Sequence, residues 1–365
     1  MTSAIAQLND FGQSPWYDNL ARSLLVDGRL AALVRDDGIR GVTSNPTIFE
    51  KAMAAGEGYD EQLKQCASEG HTIEESYWSL VVDDVSHAAD ILRPVYDATA
   101  GADGFVSVEV SPDLAHDTPG TCRQAVELFG RLNRPNVMIK IPATVDGLPA
   151  ITETVAAGIN VNVTLIFSLA RHEAVIEAYL TGLERLAASN GDLSSVSSVA
   201  SFFVSRVDTE TDRRLPDGHA LRGKAAVANA QLAYQLFTQR FSGPRWDALA
   251  VKGARLQRPL WASTSTKNPA YPPTLYVDEL IGKHTVNTLA PASIDALHAG
   301  KATLRADTIE DDIDGAHAVI AGLAGADVDF DDVTATLEYE GVESFSASFH
   351  DAFATLDKRR AEVST

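Results

Sequence analysis

Residues 136–144 read NVMIKIPAT, and the alternation within this stretch decides the fold class. Val137, Ile139 and Ile141 share one face of an extended strand, whereas Lys140 points to the other. Strands of an open doubly wound sheet are covered on both faces and are apolar throughout. One apolar and one polar face instead favour a closed barrel, whose interior opens on an active site. The same alternation recurs in VSVEVSP (106–112) and INVNVTLIF (159–167).

Short stretches rich in β-branched residues also recur along the rest of the chain. Seven of them predict strands, at residues 38–45, 104–110, 136–143, 159–167, 198–205, 258–263 and 284–291. Gln13–Trp16 is a weaker eighth candidate. Between the strands lie amphipathic stretches long enough for the crossover helices that parallel strands require, such as Glu74–Ala98, Gly120–Leu132 and Leu169–Ala188. We therefore predict an α/β fold, a (β/α)8 or TIM barrel.

The chain shows no repeat, low-complexity tract or linker, so we predict one domain over residues 1–365. The segment that most resembles an insertion is Asp208–Gly218, after the sixth strand. Residues 300–365 are acidic and helical in pattern, with candidate helices at Asp307–Ala324 and Val342–Val363. We interpret them as a helical C-terminal extension packed on the barrel.

The composition excludes several classes of protein. Hydrophobic residues make up 45% and charged residues 22%, as in a globular protein with a large core. The net charge of −20 disfavours nucleic acid or anionic membranes as partners, so a phosphorylated substrate needs a local basic site. No apolar run is long enough to span a membrane, and the N-terminus does not resemble a signal peptide. The two cysteines, Cys66 and Cys122, are expected to be reduced thiols rather than a disulfide. We therefore expect a cytoplasmic protein.

Lys140 is the strongest candidate for chemistry because it lies in the middle of a strand predicted to be buried. Burial disfavours the ammonium form of a lysine and leaves a neutral amine that can attack a carbonyl. Glu109 occupies the equivalent position on the preceding strand, where it can move protons or form an internal ion pair. Thr164, on the next strand, can bind a water or simply fill the barrel. Considered alone, Lys140 is more typical of an ordinary lysine on a sheet edge or at a strand end, because most lysines are surface residues.

Further candidates follow other strands. Asp18 and Asn45, the latter in TSNP, have the chemistry of helix caps as well as of a site. Arg206 and Lys267 follow the sixth and seventh strands, where many barrels bind phosphate. The sequence contains no phosphate loop, dinucleotide fingerprint or metal-binding histidine spacing. We therefore expect covalent catalysis without a cofactor or a metal.

Taken together, GVTSNPTIFEKA, VSVEVSP, NVMIKIPAT, NVTLIFS, SFFVSR and WASTSTKNPAY resemble the transaldolase family over roughly residues 11–291, closest to its longer bacterial branch. The resemblance implies that Lys140 forms the Schiff base and that Asp18 is the acid/base of carbon–carbon cleavage. It implies that Glu109 and Thr164 hold the catalytic water. The substrate-binding positions that it implies are Asn45, Ser201, Phe203, Arg206, Ser263 and Lys267, of which Lys267 is assigned by function because the shorter branch has an arginine in this motif.

The resemblance further implies transfer of a dihydroxyacetone unit from sedoheptulose 7-phosphate to glyceraldehyde 3-phosphate in the pentose phosphate pathway. Two alternatives stay open. One is an enzyme like fructose-6-phosphate aldolase, although such relatives tend to have Gln and Tyr in place of Glu109 and Phe203. The other is a non-catalytic barrel that binds phosphosugars. The sequence leaves the choice between a monomer and a homodimer open.

Overall fold

The protein folds into a closed barrel of parallel strands in a computed structural model that describes residues 3–363. Within these residues eight strands pair in chain order, and the first also pairs with the last. They are β1 Gln13–Tyr17, β2 Gly41–Thr43, β3 Phe105–Glu109, β4 Val137–Pro142, β5 Val161–Ile166, β6 Ser198–Phe203, β7 Gln257–Ala262 and β8 Thr285–Leu289. The predicted (β/α)8 barrel is confirmed, and the weak candidate at Gln13–Trp16 is its first strand.

The helices lie between and beyond these strands. Those described are α1 Ala4–Asp10, α2 Arg22–Val26, α3 Arg29–Asp36, α4 Pro46–Ala55, α5 Asp60–Ser68, α6 Ile73–Ala98, α7 Thr118–Leu132, α8 Gly147–Ala156, α9 Leu169–Ala188, α10 Ser205–Arg214, α11 Ala225–Arg240, α12 Pro244–Ala250, α13 Leu275–Asp278, α14 Pro291–His298, α15 Ile313–Gly325 and α16 Phe330–Val363. Short 3-10 turns occur at Pro112–Leu114, Leu193–Ser195 and Thr308–Glu310. None of the helices within residues 3–363 combines the length and the apolar character needed to cross a lipid bilayer.

A large ring packs beside a glycine where β2 and β3 begin. Trp16 is completely buried, and its indole Nε1 donates a hydrogen bond of 2.8 Å to Asp103. A Cβ atom at Gly41, on the neighbouring strand, would lie 2.4 Å from the indole ring. Because no side chain fits there, Gly41 is required for the packing of Trp16.

The segment Asp208–Gly218 is not an inserted loop, because its first seven residues continue helix α10. Asp208 and Asp212 are buried and accept hydrogen bonds from the backbone N–H groups of Ala226 and Gly223, respectively. The charges that suggest a solvated loop are therefore partly internal and hydrogen-bonded.

The C-terminal extension differs from its predicted boundaries. Asp307–Ala324 divides into a 3-10 turn and α15, and the helix predicted at Val342–Val363 begins at Phe330. Helix α15 packs on α11, whereas α16 packs against α4, α5, α6 and α10 and reaches the end of β5. Helix α16 therefore crosses the end of the barrel at which the strands terminate. The last two positions of the predicted extension lie outside the described residues.

Candidate active site

Lys140 lies at the floor of the site, in the middle of β4. In the parallel register it stands beside Glu109 on β3 and beside Asn162 on β5. Its Nζ donates a hydrogen bond of 3.2 Å to the backbone oxygen of Ser44 and lies 3.4 Å from Glu109 Oε2. Only 6% of the Lys140 side chain and 4% of the Glu109 side chain are exposed. The two predicted catalytic residues therefore form a buried pair of an amine and a carboxylate.

The pair is an ion contact rather than a hydrogen bond. Within residues 3–363, Glu109 Oε2 has no hydrogen-bond partner. Burial raises the pKa of the Glu109 carboxyl above its ordinary value, and the nearby Lys140 charge offsets part of this rise. A carboxyl with a raised pKa and an unused oxygen is suited to accepting and returning a proton.

Above this pair is a cavity of about 540 Å³ at the open end of the barrel. Seven of the ten predicted site residues line it, namely Asp18, Asn45, Lys140, Ser201, Phe203, Arg206 and Ser263. The remaining three, Glu109, Thr164 and Lys267, do not line the cavity. The fold thus brings together residues from widely separated parts of the sequence, because the strands that carry them all end on this face.

Asp18 and Asn45 are held by the chain segments that follow β1 and β2. The Asp18 carboxylate accepts a hydrogen bond of 2.7 Å from the hydroxyl of Thr43. Asn45 caps α4 by accepting a hydrogen bond of 2.9 Å from the Ile48 N–H group through Oδ1. The structural interpretation of Asn45 as a helix cap is confirmed, and the cap leaves its amide N–H groups free of this bond in a residue that lines the cavity.

The middle of the barrel is a hydrogen-bonded layer. Ser201 donates to Asn162 Oδ1 at 2.7 Å, and Asn162 donates to the Ser107 hydroxyl at 2.9 Å. Thr164 is completely buried, and its hydroxyl has no partner among the described residues. Phe203 lies above this layer with its ring 5.1 Å from that of Phe167. The hydroxyl of Thr164 therefore has hydrogen-bonding capacity that the described residues leave unused.

The basic side of the cavity follows β6 and β7. Arg206 is the second residue of α10, and burial lowers the pKa of its guanidinium. Ser263 adopts a left-handed backbone conformation, with φ of 57°, and its hydroxyl lies 3.0 Å from that of Ser205. Lys267 donates a hydrogen bond of 2.8 Å to Ser265, and burial and the Arg206 charge lower the pKa of its ammonium. Lys267 is therefore close enough for the Arg206 charge to affect its pKa, although it does not line the cavity.

Among the residues of the cavity wall that were not identified from the sequence are a lysine and a phenylalanine, Lys51 and Phe345. Lys51 lies on the face of α4 that also carries Thr47 and Ala55, and all three line the cavity. The spacing of four residues along the helix that follows TSNP is a signal that identifies this face. Phe345 comes from α16 and lines the cavity as well. No local pattern indicates Phe345, because its position depends on the docking of a remote helix.

Comparison with known proteins identifies a family and several close relatives of this chain. The family model described as transaldolase/fructose-6-phosphate aldolase matches residues 15–356. The chain is 51% identical over 362 residues to a transaldolase of Acidothermus cellulolyticus, an alignment that covers 98% of this chain and 97% of the relative. It is 51% identical to a transaldolase of Thermobifida fusca, with 96% of each chain covered. It is 50% identical to transaldolase 1 of Streptomyces avermitilis, with 95% of this chain and 93% of the relative covered.

The family match spans nearly the whole barrel together with most of α16, and the matched residues include the buried lysine and the cavity above it. The chain therefore belongs to the transaldolase/fructose-6-phosphate aldolase family.

Proposed function

We propose that this protein is a transaldolase that transfers a dihydroxyacetone unit from sedoheptulose 7-phosphate to glyceraldehyde 3-phosphate, with erythrose 4-phosphate and fructose 6-phosphate as products. This reaction is a step of the pentose phosphate pathway. The observation that carries the proposal is the Lys140 amine, buried 3.4 Å from the Glu109 carboxylate beneath a cavity of about 540 Å³.

In the proposed reaction, the Lys140 amine adds to the ketose carbonyl and water leaves, which gives a protonated imine. Asp18 takes the proton of the substrate hydroxyl next to the bond that breaks. The C3–C4 bond then breaks, because the imine accepts its electrons, and an aldose leaves. The bound three-carbon enamine attacks the aldehyde of the acceptor, and the steps reverse. Glu109 and Thr164 manage the water of imine formation and hydrolysis.

The charges around the cavity support phosphorylated substrates. Within the part of the chain that the structure describes, Lys51, Arg206 and Lys267 form no ion pair with a carboxylate within 4.0 Å. Arg206 is half-buried, whereas Lys51 and Lys267 are exposed, and a phosphate group in the cavity can form charge-assisted hydrogen bonds with such unpaired cations. We propose that Arg206 contacts the phosphate directly and that Ser263, Lys51 and Lys267 assist it. Asn45 and Ser201 would bind the hydroxyls of the sugar.

Phe203 favours transfer over simple cleavage. Its apolar ring lines the cavity and offers no hydrogen bond to water, whereas the aldolase-like relatives tend to have tyrosine there. We also propose a cytoplasmic location, which the two free cysteines, Cys66 and Cys122, support.

The test is an assay of the purified protein with fructose 6-phosphate, with and without erythrose 4-phosphate, together with borohydride trapping. We expect sedoheptulose 7-phosphate to form, and borohydride to fix a three-carbon adduct on Lys140 that Lys140→Met cannot form. Release of dihydroxyacetone without transfer would favour the aldolase-like alternative. A trapped adduct on another lysine would contradict the assignment, and absence of any turnover or adduct would favour a binding protein.

A further inference from the structure

Helix α16 contributes an aromatic ring to the wall of the active site. Phe345 lines the cavity, and only 3% of it is exposed. The centre of its ring lies 5.7 Å from Lys140 Nζ. The ring is therefore in the immediate surroundings of the atom that carries the bound three-carbon unit in the proposed reaction.

Contacts one turn to either side fix the position of this ring. Gly341 faces the Leu165 side chain, and a Cβ atom at position 341 would lie 2.9 Å from Leu165 Cδ2. Leu165 itself has a φ of 60° at the end of β5, an uncommon conformation for a leucine. One turn after Phe345, the ring of Phe349 packs edge-on at 5.1 Å from Tyr77. The helix is thus anchored on the barrel before Phe345 and on α6 after it.

A polar bond joins α16 to a second wall of the cavity. The Ser348 hydroxyl lies 2.8 Å from that of Thr47, which lines the cavity from α4. Nearer the N-terminal end of α16, Glu338 is paired with Arg171 of α9 at 3.1 Å. These contacts hold the helix from opposite sides of the barrel, so the Phe345 ring has a defined place rather than a range of positions.

An apolar ring beside Lys140 can affect the fate of the three-carbon intermediate in the proposed reaction. After cleavage, the enamine on Lys140 has two fates. It can attack the acceptor, or it can take up a proton at carbon, after which water adds to the imine carbon and the C–N bond breaks. The second route consumes one water and gives free dihydroxyacetone and the lysine amine. An apolar ring offers water no hydrogen bond and occupies the space through which it would approach.

We propose that Phe345 is a specificity-determining residue, which limits the access of water to the three-carbon intermediate on Lys140 so that the acceptor takes it up. The inference rests on the proposed transaldolase function and assigns a role in it to the C-terminal helix. Phe345 acts by occupying space beside the reacting atoms and exchanges no proton.

The test compares Phe345→Ala and Phe345→Leu with a matched control, Phe353→Ala. Phe353 lies on the same helix and packs 5.3 Å from Tyr77, but it does not line the cavity. Each protein is incubated with fructose 6-phosphate and erythrose 4-phosphate, and the ratio of dihydroxyacetone to sedoheptulose 7-phosphate is measured. Borohydride trapping on Lys140 reports separately whether the imine still forms.

We expect Phe345→Ala to raise this ratio by about tenfold or more, since even a modest loss of discrimination between two competing steps changes their ratio by this factor. Phe345→Leu should give an intermediate ratio, and Phe353→Ala should match the wild type. If Phe345→Ala does not fold, a wild-type ratio in Phe345→Leu overturns the inference.

An unchanged ratio in a Phe345→Ala variant that still forms the trapped adduct overturns the inference alone. An equal rise in Phe353→Ala does so too, because the effect would then belong to the helix as a whole. A wild-type protein that forms no sedoheptulose 7-phosphate refutes the proposed function and this inference with it.

Discussion

Replacement of Arg206 by alanine tests how a chain with a net charge of −20 binds phosphosugars. Arg206 lines the cavity, and no carboxylate among residues 3–363 lies within ion-pair distance of its guanidinium. The charge of Glu340 on α16 partly offsets the effect of burial on the pKa of Arg206, whose guanidinium lies 5.7 Å from the centre of the Phe203 ring. The residue is thus a half-buried cation without an ion-pair partner among the described residues, to which an anionic substrate can bind.

The expected magnitude follows from the contact that is lost. A hydrogen bond between a charged group and its partner contributes about 1.5–3 kcal/mol. Taking about 2 kcal/mol, kcat/KM for fructose 6-phosphate should fall by about 30-fold, mostly through KM. The stability of the folded protein should not fall, because the replacement breaks no ion pair and removes the desolvation cost of a half-buried cation. We therefore expect the Tm of Arg206→Ala to be at least that of the wild type.

The assay compares fructose 6-phosphate with fructose as donors, using glyceraldehyde as a common acceptor that has no phosphate. Arg213→Ala is the matched control, because Arg213 lies on the same helix with 68% of its side chain exposed and is paired with Glu210. It should leave the preference for the phosphorylated donor unchanged. Equal losses for both donors in Arg206→Ala would show that this residue does not bind phosphate, and the reasoning from its unpaired charge would be refuted.

Three further substitutions test the control of water near the imine, the transfer of a proton by Glu109 and the pH dependence of stability. Phe203→Tyr should raise the ratio of released dihydroxyacetone to sedoheptulose 7-phosphate, because the added hydroxyl can bind water near the imine; an unchanged ratio in the folded variant would make the ring a packing residue only. Glu109→Gln should slow borohydride trapping on Lys140 by about 100-fold or more, because the amide cannot relay a proton; trapping at the wild-type rate would reduce Glu109 to an ion-pair partner. Burial raises the pKa of Asp208 to about 6, above the ordinary value of 3.8, so the folded state holds this proton more tightly than the unfolded state. The stability that this bound proton contributes is consequently lost as pH rises from about 4 to about 6. The free energy of unfolding of Asp208→Asn should therefore exceed that of the wild type by about 3 kcal/mol at pH 7 but not at pH 4. Urea unfolding at both pH values checks this, and an equal difference at the two pH values would contradict it.

The barrel and the centre of its site were predictable because they depend on the two-residue period of side chains along a strand and on the register between neighbouring strands. Alternation along β3 and β4 places Glu109 and Lys140 inside, and parallel pairing of neighbouring strands then sets them side by side. Both statements need only the sequence and the geometry of strands. The residues at the cavity mouth depend on how loops and helices turn after each strand, which is why Lys267 was expected in the wall although it does not line it.

Helix α10 shows why a polar segment can be misread. DTETDRR resembles a solvated loop, because charged residues are seldom buried. In the folded chain the Asp208 carboxylate accepts a hydrogen bond of 2.8 Å from the Tyr276 hydroxyl, 68 residues away, and another from the Ala226 N–H group. Partners so distant in sequence leave no local pattern. The burial of these carboxylates is therefore a tertiary effect that composition alone cannot reveal.

The beginning of α16 likewise depends on a tertiary contact, and this contact affects the active site. Glycine costs about 1 kcal/mol in a helix interior, so Gly341 favours a helix that begins after it. The helix instead continues through Gly341, because the absence of a side chain lets it approach Leu165 at the end of β5. Only that close approach brings Phe345, one turn later, to within 5.7 Å of the Lys140 amine. The residue that weakens the helix as an isolated segment is thus the one that allows the helix to reach the catalytic lysine, and a prediction from local propensity misses both facts together.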